Sequence, residues 1–86
     1  MLYTYLIDSL HAYLDGRLEV RLLLDIWKGC PSEISGIYYQ LFHLVSDEDI
    51  RKKDSDYARH QLYLVEILID SLKLNDVKKL QNFSLI

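Results

Sequence analysis

Cys30, His11, His43 and His60 are the side chains that could supply a nucleophile, a base or a soft metal ligand. A thiol attacks as its thiolate, so it needs a neighbouring base or a helix N-terminus. Cys30 precedes Pro31 at the start of an apolar-periodic stretch, where such a lowered pKa is conceivable. No base is assigned to it, and free cysteines are commonly buried and inert. A half-buried turn residue is therefore the expectation. The three histidines fall in three separate stretches. None forms an HExxH pair, and no His–carboxylate spacing repeats between stretches as in di-iron bundles. A phosphate-binding loop, a dinucleotide fingerprint and a nucleophile elbow are all absent. Arg59-His60 resembles a fragment of a helical nuclease motif without the Arg-to-His spacing of such motifs. The expectation is a protein that is not an enzyme, with no catalytic residues, no metal and no cofactor.

Acids with interspersed tyrosines are the more informative constellation. The run Ser46–Tyr57 holds Asp47, Glu48, Asp49, Asp54 and Asp56 around the basic triplet Arg51-Lys52-Lys53. Part of it reads as a solvated linker with helix caps, Ser46 before one element and Asp54 or Ser55 before the next. Ser46 with Asp49 resembles a capping box. Downstream, Asp56, Arg59, Tyr63, Glu66, Asp70 and Lys73 share one face at helical spacing. Glu66 and Asp70 are like charges at i,i+4, which costs a few tenths of a kcal/mol in a helix. An acidic patch with an aromatic anchor at Tyr63 suits a basic protein surface. Seven tyrosines are too many for the interior of so small a chain, because every buried hydroxyl needs a partner. Tyr39 is the tyrosine expected outside in the third stretch, where Tyr38 takes the core-facing position.

These residues must be carried by helices. Leu2, Leu6, Leu10 and Tyr13 recur at spacings of four, four and three, with Tyr3, Ile7 and Leu14 beside them. Gly16 is the expected left-handed stop. From Leu18 to Lys28 the stripe is Val20, Leu23, Leu24 and Trp27, widened by Leu22 and Ile26. So apolar a helix is expected to be central, covered on more than one face. After Pro31 or Ser32 come Ile34, Ile37, Tyr38, Leu41, Phe42 and Val45. Gly36 could mark a close crossing or a partner's backbone. The longest stretch, about Ser55 to Leu74, repeats Ala58, Leu62, Val65, Ile69 and Leu72. A short fifth stretch carries Val77, Leu80 and Phe83. No sustained period-two alternation occurs. The pattern predicts an all-α antiparallel bundle of four main helices with a possible short C-terminal fifth.

Length and composition agree. Eighty-six residues make one domain, 1–86, too short for two cores. Half the residues are hydrophobic and 27% are charged, which is ordinary globular composition. One cysteine excludes an internal disulfide and a cysteine-built zinc site. No apolar run reaches the length of a membrane span, and the first residues lack a basic leader. A cytoplasmic protein with no membrane partner is expected. Net charge is −3, with eight acids and three bases in residues 1–50 against five acids and seven bases in 51–86. Phosphate contacts demand a basic excess, so a direct nucleic-acid partner is disfavoured. The second and third stretches could mimic a helix-turn-helix, but the recognition element would hold Glu33 and no Arg or Lys.

The order of elements resembles a family. A helix ends in Tyr13-Leu14-Asp15-Gly16-Arg17-Leu18. An apolar helix follows, ending at Trp27, then Tyr39-Gln40-Leu41-Phe42-His43-Leu44-Val45, an acid-rich loop over 47–56, and a closing helix to Leu72. Over roughly residues 5–74 this is similar to the small helical immunity proteins of the colicin D type and of contact-dependent growth inhibition systems. The resemblance implies a cytosolic inhibitor that binds and occludes a cognate secreted toxin, often a tRNA-cleaving nuclease with a basic active site. It implies that the acidic loop stands where substrate phosphates would bind, although Arg51-Lys52-Lys53 interrupts a simple phosphate-mimic strip. On this reading Asp47, Glu48, Asp49, Asp54 and Asp56 pair with toxin Lys or Arg. Tyr57 and Tyr63 are anchors, and Glu66 and Asp70 extend the patch. The free protein would be a monomer or weak homo-oligomer. The other readings are a helical dimerisation or adaptor module with a regulatory role, and a small nucleic-acid regulator.

Overall fold

A computed structural model describes residues 3–85 and is all-α over that range. The helices are α1 (Thr4–Leu14), α2 (Val20–Lys28), α3 (Ser35–Ser46), α4 (Glu48–Lys53), α5 (Ser55–Lys73) and α6 (Val77–Gln81). A single 3-10 turn, Ser32–Ile34, leads into α3.

The helix ends follow from local chemistry. Gly16 adopts φ +76°, and its N–H donates to the Tyr13 carbonyl while Arg17 N–H donates to Ala12. These two hydrogen bonds close the end of α1 as a Schellman motif. Asn75 (φ 55°) does the same for α5, with Asn75 N–H on Leu72 and Asp76 N–H on Ser71. At the other end of α5, Asp54 is extended, and its Oδ1 accepts the N–H groups of Asp56 (3.0 Å) and Tyr57 (3.1 Å). The cap expected at Asp54 or Ser55 is thus Asp54.

The interhelical core is built from Leu6, Leu10, Leu23, Trp27, Ile37, Leu41, Val65, Leu68 and Leu72, with Ile34 from the 3-10 turn. Trp27 is fully buried. Its Nε1–H donates to Ser9 Oγ (3.0 Å), and that hydroxyl donates to the Leu6 carbonyl (2.6 Å). The chain thereby satisfies its one indole donor without water. The C-terminal segment docks on this core. Leu80 and Leu85 are buried, Gln81 Nε2 donates to the Glu33 carbonyl (3.2 Å), and Leu85 N–H donates to Gln40 Oε1 (3.0 Å).

Several expectations change, beginning with the count: six helices stand where four main ones and a short fifth were expected. The charged run 47–56 is not a linker: it folds as α4, joined to α5 by the single residue Asp54. Ser46 is the last residue of α3 rather than a cap, and no side chain caps α4. Helix α2 is not central. It packs on α1 and α3, buries only Leu23 and Trp27, and leaves Leu22 45% exposed. The long α5, against α1, α4 and α6, holds the middle instead. Gly36 marks no close crossing, since a Cβ there would meet nothing within 4 Å. Stripes also shift by a position. In α3 the third buried residue is Leu44, while Phe42 is exposed; in α5 Leu62 is exposed and Gln61 is buried. Leu2 lies outside the described residues.

Candidate functional site

Two different things happen to the acids singled out by sequence. One group turns inward around Arg51. Arg51 lies on α4, whose carboxylates Glu48 and Asp49 occupy the first turn and whose bases occupy the last, as the helix dipole favours. Its guanidinium donates through Nη1 to the Leu44 carbonyl and to Gln61 Oε1 (2.6 Å), and through Nη2 to the Tyr13 hydroxyl (3.1 Å). Tyr13 in turn donates to Glu48 Oε1 (2.6 Å). Asp47 Oδ2 accepts from the Tyr57 hydroxyl (2.5 Å) and from Gln61 Nε2 (3.0 Å). Gln61 Nε2 also reaches the Tyr57 oxygen at 3.2 Å. One arginine thus ties α1, α3, α4 and α5 together. Asp47, Glu48 and Tyr57, three of the residues expected to face a partner, are members of this internal network.

The network perturbs its phenols. Burial, then the hydrogen bond to Glu48, pushes the Tyr13 pKa up to about 12, against the opposing pull of Arg51. The Asp47 hydrogen bond is the main cause of a raised Tyr57 pKa, with burial second. Both shifts favour neutral phenols that donate hydrogen bonds, not phenolates that act as bases.

The second group faces solvent. Asp49 is exposed on α4. Asp56 is exposed and paired with Arg59 one turn on. Along α5, Tyr63 is 60% exposed, and Glu66 and Asp70 lie one and two turns beyond it. Among the described residues neither carboxylate joins an ion pair. The outward face expected for this helix, Asp56, Arg59, Tyr63, Glu66, Asp70 and Lys73, is exposed throughout. Tyr39 on α3 is 66% exposed, as expected, while Tyr38 is half-buried and meets Tyr39 and Phe42 edge-on at 5.4 and 5.2 Å between ring centroids. The nine candidates therefore do not form one patch. Asp54 is spent on the α5 cap, three belong to the Arg51 network, and the remainder are on open surface.

Arg51, Gln61 and Tyr13 were not legible as a unit. The available signal was Gln61: it shares a helical stripe with Val65, Leu68 and Leu72, and a polar residue in a buried stripe requires an internal partner.

Cys30 is half-buried in the α2–α3 turn, and burial raises its thiol pKa. The lowered value conceivable beside Pro31 is not what the turn produces. His11, His43 and His60 are exposed on α1, α3 and α5. Among the described residues no three His, Cys, Asp or Glu side chains gather as a metal-holding group, and no helix is long and apolar enough to cross a membrane. Compared with models of known families, with curated proteins and with solved structures, the chain matches none.

Proposed function

We propose that this chain is a non-catalytic immunity protein that binds a basic toxin domain, such as a tRNA-cleaving nuclease, in the cytoplasm and occludes its active site. The observation that carries the reading is the solvent face of α5. Tyr63 stands 60% exposed with Glu66 and Asp70 on the following two turns. A folded chain gains nothing from two unpaired like charges at i,i+4. A partner's Lys or Arg side chains convert that local cost into attraction, and the half-wet phenol suits a hot spot. Asp49 and the Asp56–Arg59 pair lie outside the Arg51 network and are available to the same partner.

The test is co-expression with the C-terminal fragment of any large secreted toxin encoded beside it. Rescue of growth and a one-to-one complex on size-exclusion chromatography are expected, with both lost in Tyr63→Ala/Asp70→Lys. No rescue and no complex would overturn the reading. A stable dimer of the free chain in sedimentation would favour a dimerisation module instead.

A further inference from the structure

A second feature borders the outward face of α5, where Ile67 stands one turn from both Tyr63 and Asp70. Between α5 and the C-terminal segment runs a cleft of about 460 Å³. That volume lies within the roughly 300–1,000 Å³ range of small-molecule sites. Its apolar lining is Leu64 and Ile67 of α5, Leu80 of α6 and Phe83, and Lys78 and Lys79 line it too. Leu80 is buried, Leu64 and Phe83 are half-buried and pack against the core, and Ile67 remains 37% exposed. Among the described residues neither lysine joins an ion pair. An apolar trough whose lining includes two lysines selects a particular shape of ligand. It must carry an alkyl chain to cover Ile67 and Phe83, and an anion at one end to meet Lys78 and Lys79. An acidic peptide would offer the charge without the continuous apolar body. A cationic amphiphile would offer the body with repulsion from the lysines.

We propose that the α5–α6 cleft binds a medium-chain carboxylate, its chain against Leu64, Ile67, Leu80 and Phe83 and its head at Lys78 and Lys79. Covering the trough removes apolar surface from water, and the charge-assisted contact fixes the polarity of insertion. The cleft adjoins the α5 face proposed for the protein partner through Ile67, and its binding is read without any partner present.

The experiment is calorimetric titration of the full chain with decanoate below its micellar concentration, with decyltrimethylammonium as the control, and with amide chemical-shift mapping by NMR. Saturable binding of decanoate with a dissociation constant of roughly 10–100 µM is expected. Shifts should concentrate in residues 64–84, and the cation should not bind. Lys78→Gln/Lys79→Gln should weaken binding about tenfold or more. Ile67→Glu, at a position exposed enough to leave the fold intact, should abolish it, with circular dichroism checking the helix content. No saturation by decanoate, equal binding of the cation, or shifts centred elsewhere would each overturn the proposal.

Discussion

The Arg51 guanidinium and the Tyr13 hydroxyl, from helices α4 and α1, lie 3.1 Å apart, and the same hydroxyl donates to Glu48 at 2.6 Å. The phenol is therefore a relay between a cation and an anion of one short helix. Six residues are too few for α4 to persist by propensity alone, since isolated helices below about 12–15 residues are marginal. No residue of α4 is buried, so the Arg51 contacts hold it in place. Removing them by Arg51→Met leaves Gln61 and the Leu44 carbonyl without their donor. A loss of about 2 kcal/mol is expected, read as a lower denaturation midpoint in urea. The amide protons of α4 should lose exchange protection before those of α5.

Tyr13 also makes stability depend on alkaline pH. Its pKa is about 12 in the folded chain and near the ordinary 10.0 when unfolded. The folded state then holds the proton more tightly. The stabilisation is complete below pH 10 and is lost as pH rises through about 12. Water screens a half-buried ring, so the loss is roughly 1 kcal/mol rather than the full value of the shift. Comparing urea midpoints at pH 9 and pH 11.5 checks this. Tyr13→Phe should reduce the difference, leaving the contributions of Tyr57 and Tyr3, whose pKa values are raised in the same direction.

Tyr3 gives the opposite case. Among the described residues its buried hydroxyl makes no hydrogen bond of normal length, and burial, then the charge and longer-range hydrogen-bonding pull of the nearby Glu33 carboxylate, raise its pKa. A buried unpaired polar group costs free energy, and removing it returns that cost. Tyr3→Phe should keep the fold and raise stability by up to about 1 kcal/mol, measured by thermal or urea unfolding. A loss would mean that the hydroxyl has a partner in solution.

Helices were legible in the sequence because their stripes are long and their stops are chemically distinct. Gly16, Pro31, Asp54 and Asn75 mark boundaries that backbone geometry enforces. The registers of α3 and α5 were less legible. In each, apolar residues occur on more than one side, so periodicity alone does not choose between Phe42 and Leu44, or between Leu62 and Leu68. Packing chooses, and it places Leu44 and Leu68 inside. The acid run was the hardest segment. Local composition reads as solvated loop. Its helix depends on Arg51 finding Gln61, ten residues on, and Tyr13, thirty-eight residues back. No local pattern encodes such a contact. The outward face of α5 was readable because it needs only helical spacing, whereas the inward turn of Asp47 and Glu48 needs the tertiary structure.

Asp54 separates folding from binding among the acids. As the α5 cap it accepts two backbone N–H groups. Asp54→Ala should cost about 1 kcal/mol of stability, whatever it does to a partner. Asp56 is exposed and forms only a surface pair with Arg59, so Asp56→Ala should leave stability within about 0.5 kcal/mol. Reversing both charges together would therefore confound two effects. Unfolding curves of the two single variants, measured without any partner, check the separation.

Glu66 and Asp70 carry the sharpest consequence of the proposed binding face. They stand at i,i+4 on the exposed side of α5, and no ion pair relieves them among the described residues. Neutralising both as Glu66→Gln/Asp70→Asn removes a repulsion. The free protein should gain a few tenths of a kcal/mol, or about 0.3. The same change should weaken the proposed complex with a toxin, chiefly by slowing association, and should flatten its dependence on salt. Stability and affinity then move in opposite directions, an outcome that a purely structural role for these acids does not produce. Association rates at two ionic strengths, alongside thermal unfolding of the free variant, decide it. If the variant binds with unchanged rate and salt dependence, the face of α5 is not where the partner docks.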